Sequence, residues 1–506
     1  MLFNSYIYLL LFLPLCLAGF YWLRNSQRHE GSLLWLNLCS LAFYAWWNPA
    51  YLPLLLVSIA INFQFGKWLA AHQGNALGKK VLALGITLNL ATLAYFKYSG
   101  FAMTSINQIL GTHFYDPGIV LPLAISFFTF NQIAYLVDAY EGMTKEYRFN
   151  HYSLFVTFFP HLLAGPIVHH RELIPQFFKK PDSETQQEQW AMGITAISIG
   201  LFKKVILADA LSGYANQVFN GAANGEMFNA TEAWIGALSF TLQVYFDFSG
   251  YCDIACGSAL LFGITLPQNF LSPFKTANII EFWKHWHITL SRFITSYIYT
   301  PLMRNTPGGV AFSKAMLVTV VSMGLSGLWH GAGLTFVAWG LAHGIMLVIN
   351  HSWRKLPLAK KLAPIKAYKL FCVLLTYLMV TLTMVFFRSH DLATAASLFH
   401  TMFNFSDLQF THHLQQPVIS DLCRQWQLDL TPMQKLLPLL VFMHLWVWLL
   451  PNLQQLIKNV ALNNIRLPVT RFQWQANTGW SLLTAATLAI ALMAVYETGD
   501  FVYFQF

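Results

Sequence analysis

Charge is scarce in this chain. Lys, Arg, Asp and Glu make up 10% of its 506 residues and 56% are hydrophobic, where about 25% charged is normal for a soluble domain. That composition excludes a soluble globular protein. Cysteine is scarce as well, six residues in all. Cys16, Cys39, Cys252, Cys256 and Cys372 sit in apolar segments and Cys423 stands alone, so no disulfide framework is drawn. Cys252 and Cys256 are spaced to share a helix face. With no further thiolate nearby they read as small packing residues, and no metal set is assigned. Several motifs are missing too. His29-Glu30 lacks the second histidine of a zinc-protease HExxH, and there is no Walker loop, no Gly-rich dinucleotide fingerprint and no GxSxG elbow. No period of 20–50 residues recurs, and no two halves carry matching broken helices, which argues against a secondary transporter. No linker or low-complexity tract divides the chain. Residues 1–506 therefore read as one membrane domain.

What is present is a succession of apolar runs. A spanning helix needs about 20 mostly apolar residues. Candidates lie near 5–23, 32–47, 51–66, 81–98, 119–137, 190–209, 232–246, 310–328, 334–350, 370–387, 434–450 and 479–497. Shorter stretches near 152–168 and 252–266 read as re-entrant or broken helices. The pattern predicts an all-α, polytopic helical bundle with about ten to thirteen membrane segments.

Arg24 and Arg28 follow the first apolar run, the reverse of a cleavable signal, so that run is expected to span with its leading end outside the cytoplasm. Lys67, Lys79 and Lys80 share one loop. Arg354, Lys355, Lys360, Lys361, Lys366 and Lys369 fill a second, and Lys458, Arg466 and Arg471 a third; all three are expected on the cytoplasmic side. The 388–433 connection carries Asp391, Asp407, Asp421 and Asp429 with few cations, and no Lys or Arg follows Glu497. Both termini are thus expected outside, with an even number of full spans. The net charge of +9 is then chiefly topology, although such a face would also draw an anionic cosubstrate. The polar stretch at about 400–433 is expected to form a small extramembrane cap.

One imidazole stands out inside the runs. In Gly324-Leu-Ser-Gly-Leu-Trp-His330-Gly-Ala-Gly333, nothing ionisable separates His330 from Lys314 on one side or His343 on the other. An ionisable group at membrane depth is costly and usually faces a cavity with a task. The glycines leave room for a ligand or another backbone. Histidine suits general-base work near neutrality. A second histidine, His287, sits in Glu281-Phe-Trp-Lys-His-Trp-His-Ile-Thr-Leu-Ser291. Over 279–300 one helix is expected, with Glu281, Lys284, His285, Ser291, Arg292 and Thr295 on a polar face. His285 and His287 would point apart there, so they do not chelate one metal. In Tyr245-Phe-Asp-Phe-Ser-Gly-Tyr-Cys-Asp253, Gly250 permits a helix break between Asp247 and Asp253, which are expected to hydrogen-bond there for structure, with orientation of a histidine as the alternative. Phe159-Pro-His-Leu-Leu-Ala-Gly-Pro166 is another interruption. It reads either as a helix terminus or as a place where His161 meets substrate. Candidate catalytic residues are His330 and His287; candidate substrate contacts are Trp329, Asp247, Trp286, Ser291 and His161.

These segments join Phe43-Tyr-Ala-Trp-Trp47, Tyr95-Phe-Lys-Tyr98, Leu121-Pro-Leu-Ala-Ile-Ser-Phe127, Gly327-Leu-Trp-His-Gly331 and Phe501-Val-Tyr-Phe-Gln-Phe506. In this order, over almost the whole chain, they resemble the membrane-bound O-acyltransferase family. The likeness is closest to its bacterial branch acting on alginate and peptidoglycan. Teichoic-acid D-alanyl transferases are similar but usually shorter. One departure is Cys252, where relatives often have serine.

The resemblance implies an acyl-transfer core at about 119–350 within a many-helix bundle. A tunnel from both membrane faces would reach a buried histidine, His330, with His287 as the second family histidine. It implies acetyl-CoA as cytoplasmic acyl donor, with no bound cofactor. Hydroxyls of an extracytoplasmic polysaccharide would accept the acyl group, directly or through a periplasmic or membrane-anchored SGNH-type acetyltransferase partner. The implied location is the inner membrane of a bacterium. A transporter or flippase, and a non-catalytic scaffold of a polysaccharide-modifying complex, are the alternatives.

Overall fold

The structure is a computed structural model. It describes residues 1–115, 118–144, 148–163, 165–179, 182–304, 311–407, 432–457, 473–495 and 502. Among the described residues all regular structure is helical. By length and composition, seven helices can cross a membrane: Ile7–Asn25, Pro49–Ala71, Ala76–Leu110, Ser183–Ala223, Phe312–His330, Leu334–Trp353 and Lys366–Arg388. Leu437–Leu449 and Thr478–Ala494 are apolar but shorter. This is the polytopic helical bundle that the apolar runs predict. Other runs also become helices, but of a different kind. His29–Ala45 and Ile125–Tyr140 are only 17 and 16 residues long.

The core is built around Ala230–Leu261, a 32-residue helix buried along nearly its whole length. It starts with a reciprocal cap. Asn229 accepts from the Glu232 N–H, and the Glu232 carboxylate accepts from the Asn229 N–H, both at 3.0 Å. Its closest neighbour is Ser183–Ala223. A Cβ added to Gly250 would stand 2.6 Å from the Gly200 carbonyl, so the two backbones touch there, as small residues permit in membranes. This corrects the expected break at Gly250. The helix runs unbroken through Asp247 and Asp253, and the glycine serves helix packing.

The partners of those two aspartates are lysines on a widened turn at Lys203–Ala208. Lys203 Nζ lies 2.6 Å from Asp253, and Lys204 Nζ lies 2.7 Å from Asp209 and 2.9 Å from Asp247. Asp253 also accepts from Gln454, and Asp247 from the Val502 N–H. Buried charges at this depth are usually paired with one another or held by backbone carbonyls, and these are paired.

The segment over 279–300 also departs from expectation. It is two short helices, Ile279–His285 and Ile288–Ile294, broken at Trp286-His287. His287 takes a left-handed backbone (φ 43°), unusual for a residue with a Cβ. The break turns His287 inward and leaves His285 half-exposed, bonded to the Glu281 carbonyl at 2.8 Å. The stretch 149–162 is interrupted as expected, as Phe149–Thr157 followed by Phe159–Leu162.

The Tyr6 hydroxyl donates to the Leu492 carbonyl at 2.6 Å. The start of the first helix and the end of Thr478–Ala494 therefore lie side by side. Most of the expected 400–433 cap, together with Cys423 and the Lys458, Arg466 and Arg471 loop, lies outside the described residues.

Candidate active site

His330 is the last residue of Phe312–His330. Gly331 and Gly333 turn the chain straight into Leu334–Trp353, giving a helical hairpin with the imidazole at its tip. At the other end of the hairpin, the Lys355 ammonium sits 3.0 Å over the Phe312 ring. A Cβ on Gly327 would fall 2.1 Å from the Phe336 carbonyl and 3.2 Å from Gly340 Cα. Of the two uses considered for these glycines, Gly327 serves the close approach of a backbone.

The last carbonyls of a helix have no partner inside it. Here Ala76–Leu110 supplies the donors. The Tyr98 hydroxyl donates to the Leu328 carbonyl at 2.7 Å, and the Lys97 ammonium donates to the carbonyls of Trp329 and of His330, the latter at 3.1 Å. A cation is also the favourable charge at a helix C-terminus.

Around the imidazole the walls are aromatic. Ring centroids of Trp339 and Phe387 lie 5.1 and 5.4 Å from that of His330, both steeply inclined. Trp329 stacks on Phe130 at 5.0 Å, and Phe130 in turn stacks on Phe293 at 4.2 Å. His287 lies with its ring centroid 6.3 Å from that of His330, edge-on to Phe248 at 4.9 Å. Among the described residues neither ring nitrogen of His287 has a hydrogen-bond partner. A fully buried imidazole without one is costly unless something else supplies it.

His330, Trp329 and Lys97 line a cavity of about 620 Å³. Its other walls come from the N-terminal residues up to Ile7, from Trp46 and Trp47, from 121–127 and from Leu163. The cavity thus lies at the tip of the hairpin, between the chain's N-terminal residues and the imidazole. It is of the size typical of small-molecule sites, which run from about 300 to 1,000 Å³.

Of the candidate residues, the fold brings His330, His287 and Trp329 together. Trp286 packs in a cluster with Tyr245, Phe270, Phe274 and Phe282 behind His287. The Ser291 N–H closes the turn onto the His287 carbonyl at 3.0 Å. Asp247 is held by Lys204. His161 is buried beside Phe155 and Phe158 and bonds the Phe155 carbonyl at 2.9 Å; it does not line the cavity.

Two neighbours of the site were not singled out from sequence. Lys97 is the only formal charge in the 81–98 run, the kind of signal that pointed to His330. His343 stands behind Trp339 at 4.8 Å, with its ring nitrogens bonded to Trp283 and Thr383 at 3.3 and 3.0 Å.

Residues 145–357 match the model of MBOAT, the membrane-bound O-acyltransferase family. A peptidoglycan O-acetyltransferase of Helicobacter pylori is 38% identical over 438 residues, covering 81% of each chain. The chain belongs to the membrane-bound O-acyltransferase family. A probable alginate O-acetylase AlgI of Pseudomonas putida is 36% identical over 420 residues, 81% of this chain and 82% of its own. A teichoic acid D-alanyltransferase of Streptococcus thermophilus is 27% identical over 244 residues, 46% of this chain and 57% of its own. The protein is accordingly a multi-pass membrane enzyme, an O-acyltransferase.

Proposed function

We propose that this enzyme moves an acetyl group from cytoplasmic acetyl-CoA to hydroxyls of an extracytoplasmic polysaccharide, alginate, peptidoglycan or a similar polymer, in a bacterial inner membrane. Transfer is either direct or through a periplasmic or membrane-anchored SGNH-type partner. The observation that carries this reading is His330, with His287 near it, at the base of a cavity on the N-terminal side of the bundle. The relatives' names supply the acceptor class. CoA is too large and anionic to cross lipid, so only its thioester arm enters the protein, and its phosphates stay near the loop of Arg354, Lys355 and Lys360.

His330 acts as general base. Its imidazole takes the proton of the acceptor hydroxyl as that oxygen attacks the thioester carbonyl carbon. The carbonyl π electrons move onto oxygen, then return to expel the CoA thiolate. The thiolate takes the proton back from the imidazolium, and the acceptor leaves as an ester. Trp339 and Phe387 hold the imidazole and keep water from the thioester. His287 orients the acyl carbonyl or the acceptor, its ring nitrogens being open for a ligand.

The test uses sealed membrane vesicles of both orientations, carrying the protein and its acceptor, with acetyl-labelled CoA outside. Label is expected to reach polymer ester only where the cytoplasmic face is outward. Label that never leaves CoA in either orientation would refute the donor. Movement of an intact substrate that survives His330→Ala would indicate a transporter. Esterification that survives it would indicate a scaffold.

A further inference from the structure

We propose that Lys97 is a second catalytic group, whose ammonium stabilises the negative charge that develops on the acyl carbonyl oxygen. The proposal rests on the reading of His330 as the base. Three observations carry it. The Lys97 Nζ is fixed at the tip of the hairpin, 3.1 Å from the carbonyl oxygen of His330 itself. It lines the same cavity as the imidazole, and is the only charged side chain among the described residues that do so. Among the described residues it makes no ion pair, whereas Lys203, Lys204 and Arg292 all face carboxylates.

Helix capping accommodates a cation here but does not require one. The neighbouring Tyr98 hydroxyl satisfies the Leu328 carbonyl at 2.7 Å with no charge at all. A neutral donor therefore serves the purpose one residue away. An ammonium carries three N–H donors; the Trp329 and His330 carbonyls take two of them, and the Trp329 ring centroid lies 5.9 Å from the nitrogen. The remaining donor capacity is available to a group in the cavity. Such a preset charge acts on a developing oxyanion and needs no reorganisation when the reaction occurs.

In the reaction, the acceptor oxygen forms its bond to the carbonyl carbon while His330 takes the proton. The electron pair of the C=O π bond moves to oxygen, where the Lys97 N–H meets it. When that pair returns, the C–S bond breaks and the thiolate leaves with the proton from His330. Lys97 keeps its own proton throughout.

The experiment compares Lys97→Gln, Lys97→Arg and Lys97→Cys with His330→Ala, as label transferred from acetyl-CoA per folded protein. Glutamine keeps N–H donors for the helix carbonyls but removes the charge. Losing one oxyanion donor lowers kcat by about 10²–10³-fold. Lys97→Gln is therefore expected to lose kcat on that scale with acceptor KM unchanged, and Lys97→Arg to retain more activity than Lys97→Gln. The Lys97→Cys variant is expected to recover after aminoethylation, which restores an ammonium, and not after carbamidomethylation. Wild-type turnover by Lys97→Gln would overturn the proposal and leave Lys97 as a helix cap. If Lys97→Gln fails to accumulate, equal activity of the Lys97→Cys variant after either alkylation overturns it instead. Normal transfer by His330→Ala would refute the base reading, a result distinct from any outcome at Lys97.

Discussion

Lys203→Met is the substitution whose cost the structure fixes most closely. Lys203 and Asp253 face each other at 2.6 Å with side chains 8% and 4% exposed. Removing one partner strands the other charge in a low-dielectric interior, which costs about 3–5 kcal/mol. Among the described residues Asp253 keeps a single donor, the Gln454 amide at 3.3 Å. That is a long bond and offsets only part of the loss, so the lower end, about 3 kcal/mol, is expected. Such a change lowers the ratio of folded to unfolded protein by about two orders of magnitude. Replacing both partners, Lys203→Met with Asp253→Leu, removes the stranded charge and is expected to restore most of the stability. Thermal unfolding of the detergent-solubilised protein, followed as loss of the monodisperse species, measures all three variants. A single variant as stable as wild type, or a double variant no better than the single, would show that this pair does not hold the Ser183–Ala223 and Ala230–Leu261 helices together.

Three other expectations concern geometry and topology. Gly327→Ala sets a methyl group 2.1 Å from the Phe336 carbonyl, an overpacking cost of about 1–3 kcal/mol. The shift it forces on the hairpin tip is expected to cut transfer per folded protein by about 10²-fold; unchanged transfer would contradict the close hairpin packing. At His287, Asn tolerates the left-handed backbone and Val does not. His287→Asn is thus expected to accumulate with transfer reduced less than in His330→Ala, while His287→Val is depleted from the membrane; equal accumulation of the two would discount the strain. Lys360→Cys is expected to react with impermeant maleimide only from the cytoplasmic side, because the Lys and Arg cluster sets that loop's side. Labelling only from outside would invert the topology.

How much was legible follows from which signals are local. Apolar runs depend on composition over about 20 residues, so the helical bundle could be read directly. His330 stood out because charge is rare around it, and the fold gives it a cavity. Lys97 carries the same signal, inside the Tyr95–Tyr98 motif. In the Asp247–Asp253 segment a glycine in a polar stretch fits both a break and a close helix contact. Only the facing Gly200 decides between them, and that is a tertiary fact. The lysines that neutralise those aspartates stand out as charges within the 190–209 apolar run, but which carboxylates they face is set by a widened turn far away in sequence. The break at His287 is equally silent, since periodicity over 279–300 favours one helix. The inward turn of that imidazole depends on a backbone conformation that its residue type rarely adopts.

The most direct test of the account is His330→Ala, with polymer ester content measured against the amount of folded protein in the membrane. Ester formation is expected to disappear while folded protein and partner binding stay near wild type, because the imidazole serves the chemistry and the hairpin packs through its glycines. Normal ester content in that variant, or a fall in ester that merely follows a fall in folded protein, would contradict the assignment of His330 as the base.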